Sequence, residues 1–257
     1  MEKTVTAIAW SVYVCLVSLL AAAPHWISVR GWLSTDPAPA WIQAVGSVAA
    51  IVATAAVVQW QHVREQRRQI AAELAARVEH CNVTLLKLWR QLNWLVNYQA
   101  QFLNPQRAHA TRHVSLLSSP PYDYARWMVD GPNLAFLMST GAAGVVAEII
   151  LADEKFEAAV QAVNARSAIH LGEFQPALER LGWAEGWPLE QVERCIGPRL
   201  TLQLKAATDQ VYLHVDAAIG RLQDVGKVVP AALRQAFPGE RFIAFNAPDA
   251  DRQGPST

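Results

Sequence analysis

The sequence predicts an all-α fold: an N-terminal two-helix transmembrane hairpin whose second span continues into a long helix of a cytosolic helical bundle. Three observations predict it. Two stretches of twenty residues near the N-terminus carry no charge. Further along, apolar residues recur at intervals of three and four, the spacing of one helix face. Strand-like alternation of apolar and polar residues is nearly missing.

Composition carries the same asymmetry. The chain has 257 residues, 52% hydrophobic and 17% charged. Residues 1–60 contain only Glu2, Lys3, Arg30 and Asp36 as charged side chains. With 22 basic and 22 acidic residues the net charge is zero, which gives no electrostatic reason to expect a nucleic-acid partner. The three cysteines, Cys15, Cys81 and Cys195, show neither disulfide-framework nor zinc spacing. Arginine-rich, lysine-poor and alanine-rich usage points to a bacterial gene of high GC content.

The first predicted span is Thr4–Ala23 and the second Trp41–Trp60. At about 1.5 Å per residue, twenty residues cover roughly 30 Å, the thickness of a bilayer's hydrocarbon core. Trp26, Trp32 and Trp41 fall at one expected interface and Trp60 at the other, where indole rings prefer the headgroup layer. Arg64, Arg67 and Arg68 follow the second span, while the 25–40 connector offers only Arg30. By the positive-inside rule both termini lie in the cytosol, the membrane being the bacterial inner one. Ala21-Ala22-Ala23 also resembles a leader-peptide cleavage site, but a single lysine before the span and Pro24 after it oppose that reading.

Between Pro39 and Pro105 there is no proline and only one glycine, Gly46, so the second span is expected to run on as one helix to Asn104. Leu74, Val78, Cys81, Leu85, Leu88, Leu92, Leu95 and Phe102 form its apolar stripe, interrupted by Gln99. That stripe either packs on the chain's own domain or forms a seam with a second copy along residues 74–102. Ala7 and Ser11 on the first span, and Gly46 and Ala50 on the second, form small-residue faces that permit close helix packing in lipid.

Residues 61–245 are expected to form the cytosolic domain and 246–257 a disordered tail. Proline and serine mark 105–121 as a loop, and Asp130-Gly131-Pro132 as a turn. Helical periodicity predicts one helix over 143–165 and another over 199–224. Gly226 is expected to end the latter, and Pro230 to open a short further helix. Residues 241–245 are expected to pack on the bundle as an extended segment.

No phosphate loop, dinucleotide fingerprint, zinc-protease motif or nucleophile elbow occurs. Catalytic, cofactor-binding and metal-ligating residues are accordingly expected to be none. Glu148, Asp153, Glu154 and Glu157 lack the Glu-x-x-His partners of a di-metal bundle and read as a solvated acidic face. His80 and His214 read as structural. The expected partner of Arg166 is an internal carboxylate, with a bound anion as the alternative. Asn82-Val83-Thr84 matches a glycosylation acceptor, but the expected cytosolic location sets it aside.

The segment Trp41–Ile51, the stretch Leu134–Leu137, the acidic helix to Arg166 and the segment Phe237–Ile243 resemble uncharacterised bacterial two-pass membrane proteins. In these a span leads directly into a long cytosolic helix, and some are candidate phage-defence effectors. The resemblance implies architecture and carries no functional residues across. The functional expectation is a non-enzymatic effector or signalling protein coupling a cytosolic sensor to the membrane. The alternatives are a membrane-tethered scaffold or accessory subunit and, third, a membrane-interface enzyme. The expected partners are the lipid bilayer, a second copy and an unknown cytosolic protein.

Overall fold

The computed structural model describes residues 38–182 and 187–243, leaving aside the side chains of residues 38–42, 44 and 45. The predicted span over 4–23, with Ala7 and Ser11, lies outside the described residues. So do Trp26, Trp32, the side chain of Trp41 and the predicted tail. Every element among the described residues is helical. The chain divides into two units at Leu74/Ala75.

Helix α1 (Ala38–Tyr98) is 61 residues long and is followed directly by a π-helical turn, Gln99–Leu103. The second unit holds the rest: α2 (Ala143–Ile169), a second π-helical turn (His170–Phe174), α3 (Gln175–Arg180), α4 (Leu189–Ile196) and α5 (Pro198–Ala236). Gly197 separates α4 from α5 at φ 84°, a conformation that favours glycine, and Pro198 starts α5 where its missing N–H has no helical partner to lose.

One core unites three long helices of the second unit. From α1 come Cys81, Leu85, Leu88, Leu92 and Leu95; from α2 Ile149, Ala152, Phe156, Val160 and Val163; from α5 Val211, Val215, Leu222 and Val229. Leu85, Leu88, Leu92 and Leu95 of the α1 stripe are completely or almost completely buried. The chain's own bundle covers them, whereas Leu74 at the start of the stripe is 37% exposed. A smaller cluster of Phe174, Leu178, Val192, Leu200 and Leu204 holds α3 and α4 against the start of α5.

Three local expectations are corrected. The first concerns α5, which runs through Gly226 and Pro230 to Ala236. A proline ring inside a helix crowds the residue four positions earlier and removes one hydrogen bond. Here that residue is Gly226, and both positions are buried, so packing of Val225, Val229 and Leu233 outweighs the local penalty. Secondly, the 105–121 segment contains a helical turn, Arg112–Ser115. The third is the end of the α1 stripe: the π turn inserts one residue, so Leu103 is fully buried beside a partly buried Phe102, and Gln99 turns to Asp216. The terminal segment packs as expected over 241–243. Asn82 clamps it, accepting from the Ile243 amide at 2.9 Å and donating to the Arg241 carbonyl at 3.3 Å.

Candidate functional site

Three features stand apart from ordinary core and surface. The first is the stretch of α1 from Gly46 to Trp60, every side chain of which is exposed. Val48, Ile51, Val52, Val57, Val58 and Trp60 are each about half to two-thirds exposed, and they point in all directions around the helix. A methyl group added at Gly46 would meet nothing within 4 Å. Within the stretch the Thr54 hydroxyl donates to the Ala50 carbonyl at 2.7 Å and so needs no outside partner. At the end of this stretch the Arg64 guanidinium lies 5.2 Å from the centre of the Trp60 ring, and Arg67 and Arg68 follow in exposed positions. Among the described residues no helix is long and apolar enough to cross a membrane. Apart from Gln43, the described side chains of the predicted 41–60 span begin at Gly46.

The second feature is a buried amide–carboxylate pair. Gln91 of α1 donates to Asp153 Oδ1 of α2 at 2.6 Å and to the Trp127 carbonyl at 2.9 Å. The Val129 amide lies 3.1 Å from both Asp153 oxygens. Burial pushes the Asp153 carboxyl above the usual carboxylate range, and the Gln91 and Val129 hydrogen bonds partly offset that push. Asp153 is therefore a tether for the 127–129 segment, which corrects its expected place on a solvated acidic face. The other acidic residues divide as well: Glu148 pairs with Arg221 at 2.6 Å, Glu157 accepts from Tyr124 and Gln161, and Glu154 is exposed.

The third lies where the two π turns meet the 104–119 segment and the first half of α5. Arg166 is 1% exposed. Its Nη2 donates to the His113 carbonyl at 3.3 Å, while Nε and Nη1 have no partner. Among the described residues no carboxylate pairs with it, which differs from the expected ion pair. Desolvation pulls its pKa down to about 10, so it stays charged at neutral pH. One turn on, His170 is buried with Nδ1 unpartnered; burial first and the nearby Arg166 charge second pull its pKa down to about 4. Ser167 accepts from the Ser119 amide at 3.2 Å. Tyr212 of α5 donates to the Leu103 carbonyl at 2.9 Å, closing the first π turn.

Around this centre the exposed cations are paired. Arg107 makes a two-pronged contact with Asp216 at 2.8 Å and lies over the Tyr212 ring, as Arg112 does while binding Asp209 at 2.7 Å. Glu193 takes Lys205 at 2.7 Å and sits 3.0 Å from His113 Nε2. Burial holds His113 below its ordinary value despite that carboxylate. π turns interrupt helical regularity and concentrate at functional sites, and here two of them border one buried charge.

Sequence reasoning singled out Arg166 but not its neighbours. Spacing held a usable signal: His170 follows Arg166 by one turn and Val163 by two, on the stripe that faces the core. Asp153 likewise falls between Ile149 and Phe156 on the apolar face. His80 is exposed, and His214 is partly buried beside Gln210 at 3.1 Å. Neither joins this cluster. Burial raises the Cys81 thiol to about 11, well above the range of a reactive cysteine. Among the described residues no group of three or more His, Cys, Asp or Glu side chains could hold a metal ion. Neither a protein-family model, nor a curated protein, nor a solved structure matches this chain.

Proposed function

We propose that this chain is a non-enzymatic, two-pass protein of the bacterial inner membrane. Its cytosolic helical bundle senses a partner and alters the packing of the membrane spans. The all-round apolar exposure of α1 between Gly46 and Trp60 carries the reading. A helix apolar on every side is stable where lipid or another apolar surface covers it, and unfavourable in water. The Arg64–Trp60 contact and the following arginines have the chemistry of a headgroup anchor on the cytosolic side. The predicted first span, over 4–23, supplies the other half of the hairpin. The lack of any proline between Pro39 and Pro105 supports coupling over passive anchoring, because a continuous helix transmits rotation and translation. The resemblance to two-pass proteins with a long cytosolic helix points the same way.

Membrane fractionation tests the first half of the proposal. Full-length protein should resist alkaline carbonate extraction, and recovery in the soluble fraction overturns the reading. The second half is tested by replacing both spans with an unrelated two-pass anchor. An effector loses membrane depolarisation or toxicity on that exchange, measured with a potential-sensitive dye. A tethered scaffold, the alternative reading, keeps its activity.

A further inference from the structure

Each exposed cation around Tyr212 has a carboxylate of its own, and the buried one has none. Arg107 takes Asp216, Arg112 takes Asp209 and Lys205 takes Glu193. Arg166 is left with one long contact to a carbonyl. A guanidinium cannot shed its proton near neutral pH, and an uncompensated charge in the interior is strongly unfavourable. The neighbouring Tyr98 phenol does not compensate, since burial pushes it up to about 12 and leaves it neutral.

The end of α2 and the first half of α5 hold three more buried unpartnered atoms: His170 Nδ1, the Thr208 hydroxyl and the Gln203 amide oxygen, whose NH2 group is also a donor. Four threonines lie inside α1 and α5. Three of them, Thr54, Thr84 and Thr201, donate to the carbonyl four residues back. Thr208 does not: it is fully buried and its hydroxyl has no partner. It sits one turn before Tyr212 on the core face of α5. Arg221 of α5 binds Glu148 of α2, so the antiparallel packing of these helices brings the far end of α2, with Arg166 and His170, toward the first half of α5. His170 adds a neutral ring with a free Nδ1, able to donate in one tautomer.

The geometry points to a small-oxyanion site inside the bundle. A phosphate or carboxylate group is received by the free guanidinium nitrogens of Arg166, with the Thr208 hydroxyl and the His170 ring completing the donor set. Guanidinium, hydroxyl and imidazole together suit an oxyanion far better than a cation or an apolar ligand. Binding would neutralise the Arg166 charge, which lacks a counterion among the described residues, and would tie α2 to α5 beside both π turns. The inference rests on this cluster alone and holds whether or not the chain spans a membrane.

The test uses the purified full-length chain, with inorganic phosphate and acetate titrated separately. Sodium chloride keeps ionic strength constant. Thermal unfolding and titration calorimetry are the readouts, together with ion chromatography of anions released on denaturation. A saturable rise in Tm of about 4 °C or more is expected with at least one probe. Response to phosphate but not acetate assigns a phosphate-type ligand, and the reverse assigns a carboxylate. Arg166→Met should lose the response, and Thr208→Val should weaken the affinity at least tenfold. Should Arg166→Met fail to fold, Thr208→Val decides, because it preserves volume and removes only the hydroxyl. The proposal is overturned if neither probe shifts Tm beyond the chloride control and no stoichiometric anion is released. It is equally overturned if Thr208→Val binds as tightly as the wild type.

Discussion

The bundle buries polar groups at two levels, and the two are built oppositely. At the level of Gln91 and Asp153 a carboxylate sits among donors from a glutamine and a backbone amide, and both of its oxygens are used. At the level of Arg166 a guanidinium sits among groups that leave Nε and Nη1 unused. The first arrangement holds the 127–129 segment and satisfies the carboxylate, while Gln91 Oε1 and Trp127 Nε1 beside it have no partner. The second keeps a charge the fold does not itself satisfy. The charged group is satisfied at the first level and not at the second, and an unpaired interior charge is far more unfavourable than an unpaired amide or indole.

Substitutions can break this contrast. The largest effect is expected at the buried carboxylate. Asp153→Ala should destabilise the protein by about 2–4 kcal/mol, since it strands the Gln91 amide and the Val129 N–H in the interior. Chemical denaturation measures it, and a loss below about 0.5 kcal/mol would show that water replaces the carboxylate without cost. Slightly smaller is the pH response at the level of Arg166. His170 has its folded pKa lowered to about 4 from an ordinary 6.5, so the unfolded chain binds the proton more readily. Stability should therefore be fully present above about pH 6.5 and decline as pH falls toward 4, by on the order of 3 kcal/mol. His113 is shifted in the same direction and adds to the decline. In His170→Phe the slope should shrink to the His113 contribution, as seen in denaturation midpoints across that window; an unchanged slope would assign the whole effect elsewhere.

Asp153 has the opposite sign. Its folded pKa is raised, so the folded state holds that proton more tightly and stability contributed there increases as pH falls through the raised value toward the ordinary carboxylate range. Asp153→Asn should abolish that acid-side gain and sharpen the difference between the two levels. The smallest effect is expected at the rim. Arg112→Ala removes a pair whose side chains are 39% and 58% exposed, and should cost well under about 1 kcal/mol in a urea melt. A larger loss would mean that its stacking on Tyr212 contributes more than the ion pair.

Much of the helical architecture is readable from residue order. The stripe from Cys81 to Leu95 has helical spacing and no breaker, so its burial against other helices follows from periodicity. The same holds for Ile149–Val163 and for Leu204–Leu222. Gly226 and Pro230 misled because local propensity disfavours them inside a helix, whereas the decisive term is the packing of Val225, Val229 and Leu233 on partners far away in sequence. Asp153 misled for a related reason. Four acidic residues within ten positions suggest a wet face, yet helical geometry sends one of them inward and the others outward.

The candidate site was legible only in part. Arg166 was visible as a charge on an apolar helix, with two alternatives for its partner. Which one applies depends on where every carboxylate of the bundle ends up. Asp209, Asp216 and Glu193 are each taken by a cation on the surface, and no local pattern encodes that division. The sequence by itself determined the helices, the stripe that forms the core and the apolar character of residues 46–60, because these follow from spacing and composition along one chain. The tertiary structure alone decided which polar groups were left without partners. Hydrogen-bond satisfaction is a property of three-dimensional neighbours, and the π turns that shape this neighbourhood arise where packed helices must shift register to meet.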